Sequence, residues 1–441
     1  FRSRDVEYNA RRYQLSLKDL PQIEKSYVYE INQLIFCEFI HHGEMMFFKQ
    51  NRLSLLTAFD IFRPSQADFF QIVPLLFHEN IEFIGSGPLD PRTPCGIADY
   101  LPTDQTGKIL EKIIGKDRFK LRRSRHPWIE GIFTMGSVGS LAQTSESDID
   151  YWICINEDLM TADEIRLLRR KMAYLEKAAL DRFKIHVTFF LVDTLKAKNN
   201  DFGGSTQESS GSAQSRLLKE EFYRTMIHVA GRLPLWSVLP TAISLNYYHL
   251  IHVRVSGLAS MSRYIDLGDI HAISNSEYYG ASIWQMFKWL KSPFKSVIKM
   301  ALLEKYIYEY GRKALLCNTY KDEWMNSGTR LKLAQNDSYY ILLKNLLEYY
   351  QLAEDQESVI LLLTCFFLKI EITSESQIDN TVFGLRKILL EKCIEKWGWN
   401  KQKIFDVGRF KAWPYSHIAS LSSTIEKYMI KKYKTVNKAF E

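Results

Sequence analysis

The chain contains the stretch Gly131-Ile132-Phe133-Thr134-Met135-Gly136-Ser137-Val138-Gly139-Ser140, followed by Leu141-Ala142-Gln143-Thr144-Ser145-Glu146-Ser147-Asp148-Ile149-Asp150-Tyr151-Trp152-Ile153-Cys154-Ile155. It reads as a short apolar strand, a turn rich in Gly and Ser, and a second strand carrying two aspartates two residues apart. Strand side chains alternate between faces, so Asp148 and Asp150 project from the same side. Two carboxylates on one face repel unless a cation lies between them, and a divalent metal is the usual solution. Gly136 and Ser137 place backbone N–H groups and a hydroxyl beside that position, which is what a phosphate requires.

Working outward, residues 161–164 (Thr161-Ala162-Asp163-Glu164) form a capping box that opens a helix running to about residue 180. Ile165, Leu168, Met172, Leu175 and Ala179 are its buried stripe. A strand over 185–192 ends at Asp193. The order strand, strand, capped helix, strand predicts a compact unit with a mixed sheet. Residues 199–215, rich in Gly and Ser, are read as a mobile loop, either a lid over the site or a plain linker. A helix over 215–230 follows, with Lys219, Glu220, Glu221, Tyr223 and Arg224 on it; Arg224 is a candidate substrate contact.

Upstream, residues 1–105 are mostly helical by their periodicity. One helix spans 20–42 and another 51–62, Arg63-Pro64-Ser65 breaks the pattern, and 67–77 restarts it with Pro74 as a kink. His41-His42 is read as a solvated pair. Arg118, Lys120, Arg122, Arg123 and Arg125 lie just before the first strand. They are either a solvated loop or phosphate ligands, with Arg123 and Arg125 as the candidates. Downstream of about residue 240 the pattern is helical again, with elements over 277–290, from Ser292-Pro293 onward, and over 339–351, 357–370 and 380–397. Lys291, Lys295 and Lys299 fall four apart and line one face. They are a solvated stripe or a triphosphate contact, with Lys291 and Lys295 as the candidates. The predicted fold class is α+β: an N-terminal helical region (1–105), a small mixed-sheet catalytic core (106–240) and a C-terminal helical domain (241–441).

Composition bounds the function. The 441 residues, 46% hydrophobic and 25% charged, fit a folded chain of two or three domains. The net charge of +7 suits a nucleotide or other polyanion. There is no dense basic run with interleaved aromatics, so no nucleic-acid partner is expected. Six separated cysteines without a Cys-x-x-Cys pair argue for a reducing, cytoplasmic compartment and against a zinc site. The longest apolar run, 359–368, is shorter than the ~20 residues a bilayer span needs, so no membrane span is expected.

Gly136-Ser137 followed by Asp148-Ile149-Asp150 resembles the signature of the polymerase-β-like nucleotidyltransferases. The flanking blocks narrow the likeness. Phe133-Thr134-Met135-Gly136-Ser137, Ser147-Asp148-Ile149-Asp150-Tyr151-Trp152, 187–193, Gly203-Gly204-Ser205-Thr206-Gln207, Glu221-Phe222-Tyr223-Arg224-Thr225, 264–268, 277–285 and Ser292-Pro293-Phe294-Lys295 are similar, in this order, to bacterial class I adenylate cyclases. The resemblance implies a cytoplasmic enzyme that turns ATP into cyclic AMP and pyrophosphate with two Mg2+ or Mn2+ ions. It places Asp148 and Asp150 as metal ligands, Gly136 and Ser137 as the phosphate turn, and Trp152 beside the nucleotide or in support of the acids. It also implies a regulatory C-terminal half beyond this chain. The superfamily's third carboxylate belongs mid-strand, where Thr188 stands, which leaves Asp193 as the local candidate. Asp337 falls where family members can carry a further acid. Cys95 and the Arg123–Arg125 region replace lysines of the family pattern. Two other readings share the central motif: transfer of AMP to a separate protein or small-molecule acceptor, and a catalytically silent regulatory module.

Overall fold

The structure, a computed structural model, describes residues 25–81, 89–115, 127–202, 215–241, 263–270, 272–327, 336–370 and 384–440. Among the described residues the α-helices of eight residues or more are α1 (Lys25–Ile61), α2 (Pro64–His78), α3 (Asp104–Ile114), α4 (Ala162–Ala178), α5 (Ser215–Thr225), α6 (Asn275–Lys288), α7 (Pro293–Tyr308), α8 (Leu316–Met325), α9 (Ser338–Leu352), α10 (Gln356–Lys369), α11 (Leu385–Trp397), α12 (Lys401–Gly408) and α13 (Tyr415–Phe440). The central sheet holds β1 (Ile129–Met135), β2 (Ile149–Ile155), β3 (Val187–Asp193) and β4 (Ile227–Gly231) in the order β3-β2-β1-β4. The architecture is α+β, a small mixed sheet flanked by helices, as the sequence predicts.

β1 and β2 are antiparallel, with Met135 opposite Asp150 and Phe133 opposite Trp152. β2 and β3 are parallel, which requires the crossover that α4 supplies. The box predicted at its start is present, with Thr161 accepting from the Glu164 N–H and Glu164 accepting from the Thr161 N–H.

Both faces of the sheet are covered, and this explains strands that are apolar almost throughout. On one face Ile149, Tyr151, Ile153 and Ile155 pack with Phe69, Phe70, Val73 and Phe77 of α2 and with Leu168, Met172 and Leu175 of α4. Tyr151 stacks on Phe189 of β3, ring centroids 5.1 Å apart. On the other face Trp152 and Cys154 join Phe133, Phe222 of α5 and the C-terminal helices in a second core. Each such large side chain, fully buried, contributes roughly 1.5–3 kcal/mol.

Two departures from the sequence reading have physical causes. The two helices expected over 20–42 and 51–62 are one helix, α1. Gly43 does not break it; a Cβ there would lie 2.0 Å from the Val238 carbonyl oxygen, so the glycine admits the close approach of another segment. The helix expected over 215–230 ends at Thr225, and Ile227–Gly231 becomes β4. That short apolar run cannot be told from a helical continuation by periodicity, and the free edge of β1 captures it. β4's own outer edge is closed by the Asn51 amide, which donates to the His228 carbonyl (2.9 Å) and accepts from its N–H (2.7 Å). Pro74 lies inside α2 without ending it. The C-terminal helices fall close to expectation, α7 opening at Pro293 after Ser292.

The helical region is tied to the β1–β2 loop through Asp337. Its carboxylate caps α9, accepting from the N–H groups of Tyr339 and Tyr340 (both 2.9 Å), and also accepts from the Leu141 N–H at 2.8 Å. Asp337→Ala leaves three buried donors to find new acceptors. A loss of about 2–4 kcal/mol in unfolding free energy is expected, and urea denaturation of the variant against the parent measures it.

Candidate active site

The turn after β1 owes its shape to Gly136, whose φ of +101° lies where side chains are strained. A Cβ there would meet nothing within 4 Å, so conformation rather than space demands the glycine. Its N–H donates to Thr225 Oγ1 (3.0 Å), and that hydroxyl donates to the Glu221 carbonyl (2.7 Å), which bolts the turn to α5. The rest of the loop is self-bonded. Ser140 Oγ donates to the Ser137 carbonyl (2.6 Å), Gly139 N–H to Gln143 Oε1 (2.7 Å), and Ser147 Oγ accepts from Thr144 N–H (2.9 Å) and from Ser137 Oγ (3.2 Å). The expectation of a phosphate-binding N–H at Gly136 is therefore corrected, because Thr225 already takes it. What this turn presents to the cleft is the Ser137 hydroxyl.

That cleft, about 580 Å3, lies between the β1–β2 loop and the start of α7. Ser137, Ser147 and Asp148 line one side; Lys288, Lys291, Lys295 and Lys299 line the other, with Lys369 and Lys411 also on its walls. Six lysines thus face two lining acids, Glu146 and Asp148. Such an excess of one sign in a partly enclosed space concentrates polyanions.

The charged groups sense one another. Asp150, half-buried two residues beyond the exposed Asp148, is pushed up to about 6, first by burial and then by Asp148, with Lys295 and Lys299 opposing. Glu221 of α5 shares this field. Burial would raise its carboxyl, but Lys299, Arg224 and Lys295 together hold it down at about 2, and Lys299 Nζ sits 2.9 Å from it. Burial would lower Lys295, yet Tyr339, Glu221, Asp148 and Asp150 outweigh that and raise it. Lys295 is therefore the cation common to all three acids.

The structure thus brings together Ser137, Asp148, Asp150, Lys291 and Lys295. Others of the candidates it places elsewhere. Trp152 follows Asp150 on the same face, but it is 2% exposed and stacked on Phe222 at 4.0 Å and 6°. It supports the strand and has no surface for a substrate. Arg224 is buried against Glu220 (3.0 Å), whose carboxylate also accepts from the Cys317 N–H of α8. It pins α5 to α8 and is not available as a substrate contact. Asp193 pairs in register with Ile155, whereas Thr188 is the residue beside Asp150. The Asp193 carboxylate accepts from the N–H groups of Lys196 and Glu157 (both 2.7 Å), capping the turn after β3. At ~3.3 Å per residue, the five residues from Thr188 put it about 16 Å away along the strand, so it is no third catalytic acid. Arg123, Arg125 and most of the 199–215 loop lie outside the described residues.

Glu221 is the acid that reading the sequence missed. Its signal was present: it lies one helical turn before Thr225, the residue that grips Gly136, and next to Phe222. It comes from a helix rather than a strand, so a search along β3 could not find it. Among the described residues no three acids, histidines or cysteines already stand as a metal-holding group.

Two family models match the chain: "Adenylate cyclase NT domain" over residues 40–237 and "Adenylate cyclase, class-I, second domain" over residues 273–440. Curated relatives include the adenylate cyclase of Salmonella typhimurium, 29% identical over 395 residues, and that of Escherichia coli K12, 29% identical over 391 residues. The adenylate cyclase of Proteus mirabilis is 28% identical over 396 residues. Each alignment covers 88% of this chain and 45% of the relative, so the chain spans a little under half the length of the curated relatives it matches. No solved structure matches it.

The capping role of Asp193 is directly testable. Asp193→Asn should keep whatever nucleotide chemistry the chain performs, while Asp193→Ala should lose about 1–2 kcal/mol of stability. Paired assays of turnover and thermal unfolding read both; abolition of turnover by the Asn variant in a fully folded protein would return Asp193 to the site.

Proposed function

The chain belongs to the class I adenylate cyclases, and from that premise we propose that its lysine-lined cleft cyclises ATP. The ribose 3′-oxygen bonds to the α-phosphorus of the same molecule, the bond to the pyrophosphate oxygen breaks, and the hydroxyl proton is released. The observation that carries this reading is Asp148 meeting Lys291 and Lys295 across one cleft of nucleotide size, with Asp150 behind it in the field of Asp148 and Lys295.

The donor set suits a hard divalent cation. Asp148 and Asp150 are carboxylates close enough for one to raise the other, and Mg2+ characteristically binds through one or two carboxylates together with substrate phosphates. Asp148 and Asp150 would hold Mg2+ or Mn2+, two ions in this reading. Such ions supply a lowered pKa to the attacking hydroxyl and counter-charge to the leaving pyrophosphate. The chain's own groups do the positioning. Lys295, kept charged by the surrounding acids, and Lys291 on the same cleft wall would oppose the negative charge that grows on the pyrophosphate. The Ser137 hydroxyl faces the same cleft and, turned from Ser147 Oγ, gives a donor to a phosphate oxygen. Fixed donors and cations aimed at developing charge are the largest contribution a site of this kind makes.

Incubation of the chain with ATP and Mg2+ or Mn2+, followed by separation of the products, tests the reading. Cyclic AMP and pyrophosphate are expected; AMP found only on an added acceptor would overturn it in favour of nucleotidyl transfer. Asp148→Ala and Asp150→Ala should each reduce turnover by at least about 100-fold, about 2.7 kcal/mol of transition-state stabilisation, with unchanged thermal unfolding. Chelation of divalent ions should stop turnover and added Mn2+ restore it.

A further inference from the structure

The cleft has walls of two chemistries. Around Asp148 it is lined by hydroxyls and lysines, whereas α10 and α12 contribute Leu368, Val407 and, just beyond α12, Phe410. The start of α7 serves both walls. Successive helical residues project about 100° apart, so Lys295 answers to Asp148, Asp150 and Glu221, while Phe294 meets Phe410. The two rings are edge-to-face, centroids 5.5 Å apart and planes at 80°. Phe410 is backed by Trp413 at 5.3 Å. Val407 and Leu368 are buried, but Phe294 and Phe410 are only half-buried, and each keeps part of its surface on the cleft.

A nucleoside triphosphate is divided in the same way, into a polyanion and a flat aromatic base. We propose that Phe294 and Phe410 form the seat of the nucleobase, a stacking wall distinct from the lysine wall that takes the phosphates. The inference rests on the nucleotide reading above and adds the base-binding residues to it. An aromatic face accepts any base, because every base has a π-surface. The seat therefore contributes affinity and orientation rather than a choice of adenine over guanine. It also makes the segment 401–412 part of the substrate site, although it lies some 250 residues from the acids in sequence.

Calorimetric titration with two probes separates the walls: 3′-deoxy-ATP, which has a base but no hydroxyl to cyclise, and inorganic tripolyphosphate, which has no base. Both are titrated in Mg2+. Phe410→Ala should weaken 3′-deoxy-ATP by roughly 5- to 150-fold and leave tripolyphosphate unchanged. Phe410→Leu, which keeps an apolar packing partner for Trp413, should act in the same direction. Lys295→Ala should weaken both probes. The proposal is overturned if neither Phe410 variant alters 3′-deoxy-ATP affinity, if tripolyphosphate weakens equally, or if the parent chain binds tripolyphosphate as tightly as the nucleotide. A Phe410-dependent affinity for 3′-deoxy-ATP in a chain that makes no cyclic AMP would leave the base seat standing and remove cyclisation instead.

Discussion

The stacking of Trp152 on Phe222 is the contact from which the rest of the site takes its geometry. It locks α5 flat against the middle of β2 with ring planes 6° apart. Phe222 has Glu221 before it and Arg224 and Thr225 after it, so one packed ring aims three polar side chains. Glu221 reaches Lys299 of α7, Arg224 pairs with Glu220 where α8 begins its contact, and Thr225 takes the Gly136 N–H. A dry aromatic interface is a suitable anchor for such a cluster, because buried rings have few rotamers to exchange and resist displacement. The Asp150 end of β2 is thus held from outside the strand, by a helix whose position is set two residues deeper in the core.

Charge explains why the C-terminal helices belong to the same unit as the sheet. β2 carries Asp150, Asp148 stands just before it, and α5 adds Glu221, so three carboxylates share a field that is only partly open to water. Left to themselves they would repel: Asp150 is raised first by burial, then by Asp148, with Glu221 adding to it. Lys295 and Lys299 come from α7, on the far side of the cleft, and oppose that rise. Glu221 stays ionised despite burial because it has Lys299 at contact and Arg224 behind it. An arrangement of this kind is not strongly stabilising in itself, since charges removed from water lose hydration that pairing only partly returns. Its value lies in holding a cationic wall opposite the acids before any anion arrives.

How much of this was legible in the sequence depended on the range of the interaction concerned. Local rules worked. The capping box at Thr161 and Glu164, the helix start at Pro293 and the strand pair around Gly136 are decided by neighbours a few residues away. Asp148 and Asp150 were readable as a close pair, although the strand begins at Ile149 and Asp148 stands just before it rather than on it. Lys295 was readable as a face, though its partners were not. The failures were of a different kind. Residues 227–231 have the local character of a helix end, and only the open edge of β1 makes them a strand. Gly43 looks like a helix terminator and is instead a point of close approach. Asp193 and Arg224 are polar residues near the motif, but each is consumed by a nearby structural duty that the linear pattern does not display.

The position of Thr188 bears on how negative charge is distributed around Asp150. In the parallel register it is the immediate neighbour of Asp150. A carboxylate at that place would add negative charge beside Asp150, which is already raised first by burial and then by Asp148. A threonine there offers a hydroxyl without the charge and keeps the β-branched shape that strands favour. Glu221 supplies negative charge from across the face instead, carried on a helix and matched by its own lysine. This division separates two requirements that one strand position would have to meet together. With Thr188 beside Asp150, the neighbouring strand brings no carboxylate of its own to the pair. The Glu221–Lys299 pair meanwhile keeps α5 and α7 in register across the cleft, so that the lysine wall stands at a defined distance from the strand end.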